Sequence, residues 1–110
     1  MSVAVVWLDS EQAKLFRFSD DQMERKVLKV LEGGLQQMHD SICEWLKSEK
    51  KILVLGSDVS WDPFLKRLQE RYPEASKRVV GCENTDQATD PQIAAYAMRY
   101  FGKPVARVLL

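Results

Sequence analysis

The sequence has little of what announces a function. Its 110 residues include two cysteines and one histidine. Cys43 and Cys82 form no Cys-x-x-Cys pair, and His39 builds no familiar zinc spacing with them. A structural metal and a disulfide are therefore not expected, and both thiols read as small buried hydrophobes in a reduced, cytoplasmic protein. Charge of one sign is also missing: Lys plus Arg is 16 and Asp plus Glu is 16. The balance argues against a protein that coats nucleic acid indiscriminately, because such proteins carry a basic excess. There is no charged tail. The apolar runs Ala4–Leu8 and Ile52–Leu55 are far too short for a membrane helix. Met1-Ser2-Val3 has neither the basic start nor the long apolar stretch of a signal peptide. No cofactor motif is present, and no cofactor is expected.

What is there is ordinary globular composition, 45% hydrophobic and 29% charged, in a length suited to one domain over residues 1–110. Val3–Leu8 is β-branched and apolar on both faces, the pattern of a buried strand. Ala13–Phe18 and Met23–Leu31 follow it after polar turns and complete an antiparallel meander. The period then changes. Leu35, Met38, Ile42, Trp45 and Leu46 fall on one helical face. Lys51–Gly56 reads as a strand. Asp62-Pro63 opens a second helix with Phe64, Leu65, Leu68 and Tyr72 on its apolar face, ended by Pro73. Arg78–Cys82 is a fifth strand. Asp90-Pro91 starts a third helix, with Ile93, Ala94, Ala97, Met98 and Phe101 facing inward. Val105–Leu110 reads as a last strand or a docked tail. The order βββαβαβα predicts an α/β fold with a mixed five-stranded sheet and three helices. The later strands, each separated by a helix, pair in parallel through right-handed crossovers. The core expected from these patterns is Trp7, Leu15, Val27, Ile42, Leu46, Leu53, Val54, Leu65, Leu68, Val80, Ala94 and Met98.

The element order is that of the ribonuclease-H-like fold in its translational-machinery-component version. Val6-Trp7-Leu8-Asp9-Ser10-Glu11-Gln12-Ala13-Lys14-Leu15-Phe16 resembles the V-x-x-D-x-x-x-A-x-x-F hairpin of small bacterial translational-machinery-like proteins. These are related to the middle domain of the archaeal and eukaryotic class I peptide release factor and of Pelota. Ile52–Gly56 with Phe64–Leu68, and Lys77–Gly81 with Thr85–Ala97, are similar to later segments of that group. The resemblance implies a non-enzymatic binding module that touches the ribosome or structured RNA.

Two departures accompany it. The bacterial group often has a His-rich or basic loop between the third strand and first helix, whereas Leu31–Gln37 is short and nearly neutral. In the release factor that connection carries a Gly-Gly-Gln tip. Here Leu35 interrupts Gly33-Gly34 and Gln36, so release chemistry is not expected. Codon-reading and partner-binding domains are not expected within these 110 residues.

Several groups of residues carry candidate roles. Gly33, Gly34 and Gln36 form a candidate tip; a glycine pair before an apolar helix is also a common joint, with Leu35 its first buried residue. Lys14, Arg17, Arg25, Lys26 and Lys29 form a candidate phosphate-binding strip, or the solvated side of a meander. Asp9, Glu44 and Asp58 lie roughly where ribonuclease-H-like nucleases hold two Mg²⁺ ions. Asp9, however, suits a turn for local reasons, and Glu44 adjoins the helix stripe on the solvent side. His39 reads as a boundary residue of the first helix, and Trp61 as the most exposed tryptophan. A further alternative is a homo-oligomer joined by the meander edge or the Val105–Leu110 tail.

Overall fold

The computed structural model describes residues 2–19, 22–31, 34–85, 87–102, 105 and 106, with Asp58 described by its backbone alone. Three strands come first: β1 (Ser2–Leu8), β2 (Gln12–Ser19) and β3 (Gln22–Lys29). They are followed by α1 (Gly34–Leu46), β4 (Lys51–Gly56), α2 (Asp58–Arg71), α3 (Pro73–Ser76), β5 (Val79–Asn84) and α4 (Asp90–Phe101). The sheet order is β3-β2-β1-β4-β5. β1 pairs antiparallel with β2, and β2 with β3. β4 lies parallel to both β1 and β5. This is the mixed five-stranded α/β sheet that the pattern predicts.

Strand alternation divides the core between two faces. Ala4, Val6, Leu8, Ala13, Leu15, Ile52 and Val54 point toward α1 and α2 and meet Met38, Ile42, Leu46, Phe64 and Leu68. Val3, Val5, Trp7, Phe16, Phe18, Leu53 and Leu55 point the other way and meet Ile93, Ala97 and Val105. β1 and β4 are buried on both faces because they are central, which is why they read as unbroken apolar runs.

Gly56 is required where these two strands end. Its φ is +126°, and a Cβ there would lie 2.2 Å from the Leu8 carbonyl oxygen. No other residue fits so close to a neighbouring backbone.

The structure corrects several expectations. Among the described residues four helices are defined, because α2 stops at Tyr72 and Pro73 opens a one-turn α3. α2 begins at Asp58, capped by Ser57, whose side chain accepts from the Ser60 N–H at 3.3 Å. Pro63 is thus inside the helix, not at its start. Val80 is 43% exposed because β5 bulges there: Ile52 pairs with Val79, and Leu53 already pairs with Gly81. The unpaired residue loses its place in the core. Val27 is 37% exposed because β3 is an edge strand that α4, packed over β1, leaves open. Leu65, Ala94 and Met98 are half-buried, and the other expected core residues are buried. Val105 and Ala106 continue as a helical turn, with Val105 docked in the α4-side core. The expected strand or docking of residues 107–110 lies outside the described residues.

Candidate functional site

The registers bring the ends of β1, β3, β4 and β5 together. Leu8 pairs with Gly56, Gly56 with Asn84, and Lys29 with Gln12 beside the β1–β2 turn. The amino ends of α1, α2 and α4 therefore gather at one end of the molecule. In open α/β sheets this carboxyl end of the strands is where ligands bind.

Local chemistry shapes each turn there. In the β1–β2 turn, Asp9 Oδ1 accepts from the backbone N–H groups of Glu11 and Gln12, both at 2.8 Å. Between β4 and α2, the Trp61 indole N–H donates to the Gly56 carbonyl at 3.2 Å, which leaves Trp61 half-buried rather than exposed. Thr85 ties β5 to this point: its hydroxyl accepts from the Gly56 N–H at 3.0 Å. Thr89 and Gln92 form a reciprocal capping box that fixes the start of α4.

The β3–α1 connection is more open. Gly34 has φ +79°, with no atom within 4 Å of an added Cβ. Its N–H donates to the Leu31 carbonyl at 2.8 Å. Leu31 is 77% exposed, Leu35 38% and Val59 80%. Gln36 is exposed on the third residue of α1. Leu35 is helical as expected but is not the first buried residue; that place belongs to Met38. The first turn of α1 carries Leu35 beyond the cover of the sheet. Gly33 lies outside the described residues.

A groove of about 530 Å³ runs from this end between α1 and α2, lined by Gln36, His39, Lys66, Arg67 and Glu70 among others. Arg67 makes a two-pronged ion pair with Asp40, at 2.6 and 3.1 Å. That bonding holds the Asp40 carboxyl below its ordinary range. His39 is 4% exposed, so it is a core residue, not a boundary one. Its ring stands edge-on to Phe64 at 5.7 Å, and its Nε2 has no hydrogen-bond partner among the described residues. Burial lowers its pKa from the usual imidazole value.

The five meander cations do not share one face. Lys14, Arg25 and Lys29 lie on the α4 side; Arg17 and Lys26 lie on the other. Lys14 donates to the Ala88 carbonyl at 3.3 Å and stands 3.7 Å from Asp90. Arg25 also binds Asp90, at 2.8 Å. Arg17 lies over the Trp45 ring, donates to the Trp45 carbonyl at 2.9 Å, and pairs with Glu24 and the buried Glu49. Lys26 and Lys29 are exposed and have no ion pair among the described residues.

The three candidate metal ligands are not gathered either. Asp9 belongs to the β1–β2 turn and Asp58 opens α2, both at the loop end, whereas Glu44 lies in the last turn of α1, bound to Lys47 and Tyr72. Ten residues of helix between Gly34 and Glu44 span about 15 Å. Among the described residues no group of three His, Cys, Asp or Glu side chains is placed to hold a metal ion. Burial pushes the Cys43 thiol up to about 11 and raises that of Cys82, so neither is a ready nucleophile. Sequence reasoning missed the exposed trio Leu31, Leu35 and Val59. Its one signal was that Leu31 and Val59 stand beside turn residues, outside any buried stripe.

No protein-family model matches the sequence, and no curated protein matches it. Solved structures do. Archaeoglobus fulgidus Pelota superposes with a TM-score of 0.69 at 18% identity, over 96% of this chain and 33% of that one. Thermoplasma acidophilum Pelota gives 0.64 at 16%, over 98% and 35%. An archaeal translation termination factor gives 0.60 at 13%, over 96% and 36%. At these identities the likeness is one of fold, and the chain spans about a third of each of these proteins. Among the described residues no helix is long and apolar enough to cross a membrane.

Proposed function

We propose that this chain is a non-catalytic, cytoplasmic binding module that docks by its loop end on the ribosome or on ribosome-associated structured RNA. In this reading residues 1–110 correspond to the middle domain of Pelota and the class I release factor, as in the small bacterial relatives that the sequence resembles. One observation carries it: nearly the whole chain, 96%, superposes on about a third of Pelota and of a termination factor. Termination of translation is an event of the ribosome.

The loop end supports the reading in its own terms. It carries exposed Leu31, Leu35 and Val59, an exposed Gln36, and a left-handed Gly34 with open space around it. Such a surface recognises by shape and apolar contact more than by charge, in keeping with the balanced composition. Release chemistry is not part of the proposal, because Leu35 separates Gly34 from Gln36 and both residues are already turned into α1.

Sedimentation of the purified chain with ribosomes through a sucrose cushion tests this. The chain is expected in the pellet, and Leu31→Asp combined with Val59→Asp is expected to remove it. Lys77→Glu, at the opposite end, is expected to leave it there. A chain that stays in the supernatant at physiological salt, or a Lys77→Glu loss equal to that of the loop-end pair, overturns the proposal. Peptidyl-tRNA hydrolysis that disappears on Gln36→Ala would restore a catalytic role.

A further inference from the structure

The two edges of the sheet differ. β5 is broken by its bulge at Val80, a feature that discourages further pairing. β3 is regular along its whole length and exposed at every residue but Leu28. Its outward hydrogen-bonding groups can be identified. The Val30 N–H donates to the Glu11 carbonyl at 2.8 Å, so Val30 and Glu11 are a hydrogen-bonded pair. Such pairs recur at every second residue of an antiparallel ladder. Gln22, Glu24, Lys26 and Leu28 therefore turn their backbone groups toward β2, and Met23, Arg25, Val27 and Lys29 turn theirs to the outer edge, where no strand pairs with β3 among the described residues.

We propose that this edge recognises a second copy of the same chain, pairing antiparallel with its counterpart about a twofold axis at Arg25. The side chains select both the partner and the register. A twofold axis normal to the sheet keeps each face continuous, so odd residues oppose odd residues and even oppose even. Centring on Arg25 puts Met23 opposite Val27 twice and Glu24 opposite Lys26 twice. The apolar pairs occupy hydrogen-bonded positions. The ion pairs occupy the intervening ones, where opposed side chains come closest. Each Arg25 faces its own copy across the axis, but each is already paired to Asp90 of its own chain at 2.8 Å.

The neighbouring registers lose these matches. Centring on Glu24 opposes the two Glu24 side chains and puts Met23 against Arg25. Centring on Lys26 opposes the two lysines and puts Met23 against Lys29. Charged residues on an edge strand ordinarily keep other chains away. Here Glu24 and Lys26, on one face of the strand, carry opposite signs, so that one self-pairing neutralises them. Met23, 42% exposed, and Val27, 37% exposed, gain their missing neighbours in it. Met23 is also a wall of the apolar groove that Phe16, Phe18, Ala94 and Met98 line on the α4 side, a volume of about 540 Å³. The partner's Val27, set opposite Met23, extends that apolar surface.

Sedimentation velocity over a concentration series tests the proposal. The unaltered chain is expected to approach twice 12.7 kDa as concentration rises. Val27→Pro removes an outward N–H and no bond to β2, and is expected to stay folded by circular dichroism and monomeric throughout. Glu24→Lys alone and Lys26→Glu alone place like charges across the axis and are each expected to weaken association about tenfold. Mixing these two variants is expected to restore dimers, since each supplies the charges the other lacks.

Arg25→Cys is expected to form a covalent dimer on mild oxidation, above the background of the unaltered chain. Directly opposed Cα atoms at about 5.5 Å suit a disulfide. A chain monomeric at every concentration overturns the proposal. So does a dimer that Val27→Pro leaves intact, one that the mixed variants fail to restore, or one in which Arg25→Cys does not cross-link.

Discussion

Toward α1 and α2 the strands offer aliphatic side chains, Leu8, Leu15 and Ile52 beside the small Ala4 and Ala13, and the aromatic ring comes from a helix, Phe64, with Leu68, Ile42 and Leu46 around it. Toward α4 the arrangement is reversed: Trp7, Phe16 and Phe18 rise from the strands against Ala97 and Ile93. Two long helices close the first face. Among the described residues one long helix covers the second, and it packs over β1, so the β2–β3 side keeps an apolar groove. Large side chains on the strands compensate for a missing helix over the centre of the sheet but not at its edge. The sealed face is thus a stability element, and the half-covered one leaves apolar surface available for association.

Truncation gives the sharpest test of that contrast. Phe64→Ala removes a fully buried ring from between the helices and the sheet, and about 4 kcal/mol of stability should go with it. Met98→Ala, on the margin of the groove, should cost about 1 kcal/mol, because its site is half-buried and open to water. Urea denaturation midpoints compare the two, and equal losses would mean that the faces are equally sealed. Gly56→Ala strikes the seam the faces share. The added methyl meets the Leu8 carbonyl in a backbone conformation that alanine resists, at a cost of about 3 kcal/mol. A variant as stable as the parent would show that β1 and β4 can separate there without penalty.

Much of this contrast was legible in the chain. The runs Val3–Leu8 and Lys51–Gly56 announce central strands because both their faces are buried, and periodicity located the buried faces of α1 and α4. The likeness to release-factor and Pelota folds followed from the order of such elements. Misses arose where tertiary placement overrides local pattern. Val27 alternates like a core residue, but no sequence feature says that α4 stops short of β3. Val80 sits in an apolar strand, yet a one-residue bulge turns it out. Asp62-Pro63 has the chemistry of a helix start, but Ser57 caps α2 earlier. That a glycine joins β3 to α1 was legible from the glycine pair, and Gly34 takes the left-handed φ of +79° there. The Leu31, Leu35 and Val59 surface was not legible, because only the folded registers bring those three residues to one end.

A smaller effect separates the faces by polarity. Glu49 is 2% exposed and accepts from Ser2 Oγ and Arg17 Nε. Arg17→Met keeps most of the alkyl packing over Trp45 but leaves this carboxylate without its cation. About 2 kcal/mol should be lost, less than for a fully buried pair because the Arg17 side chain is 26% exposed. Adding Glu49→Gln to Arg17→Met should recover part of the loss, since a neutral amide tolerates burial better than an unpaired carboxylate. A double variant no more stable than Arg17→Met would assign the loss to packing instead. The α4 side has no buried carboxylate among the described residues, so no counterpart is expected there.

The mildest difference concerns acid. His39 is buried on the α1–α2 side against Phe64, without a partner for Nε2 among the described residues, and burial lowers its pKa. The charges around it are mixed: Asp40 on its own helix, and Lys66, Arg67 and Glu70 from α2. Of these, Asp40 favours the protonated ring, but desolvation outweighs it. The unfolded chain therefore binds a proton near the ordinary value of 6.5 before the folded chain does. Stability is whole above that pH and falls as pH drops from 6.5 toward the folded value, with a slope of at most about 1.4 kcal/mol per pH unit for one proton. Urea midpoints measured from pH 7.5 to 5 should show the decline, and His39→Gln should flatten it while lowering the plateau through lost packing. Because the chain has a single histidine, a slope that persists in His39→Gln must come from carboxylates and would remove the buried imidazole from the account.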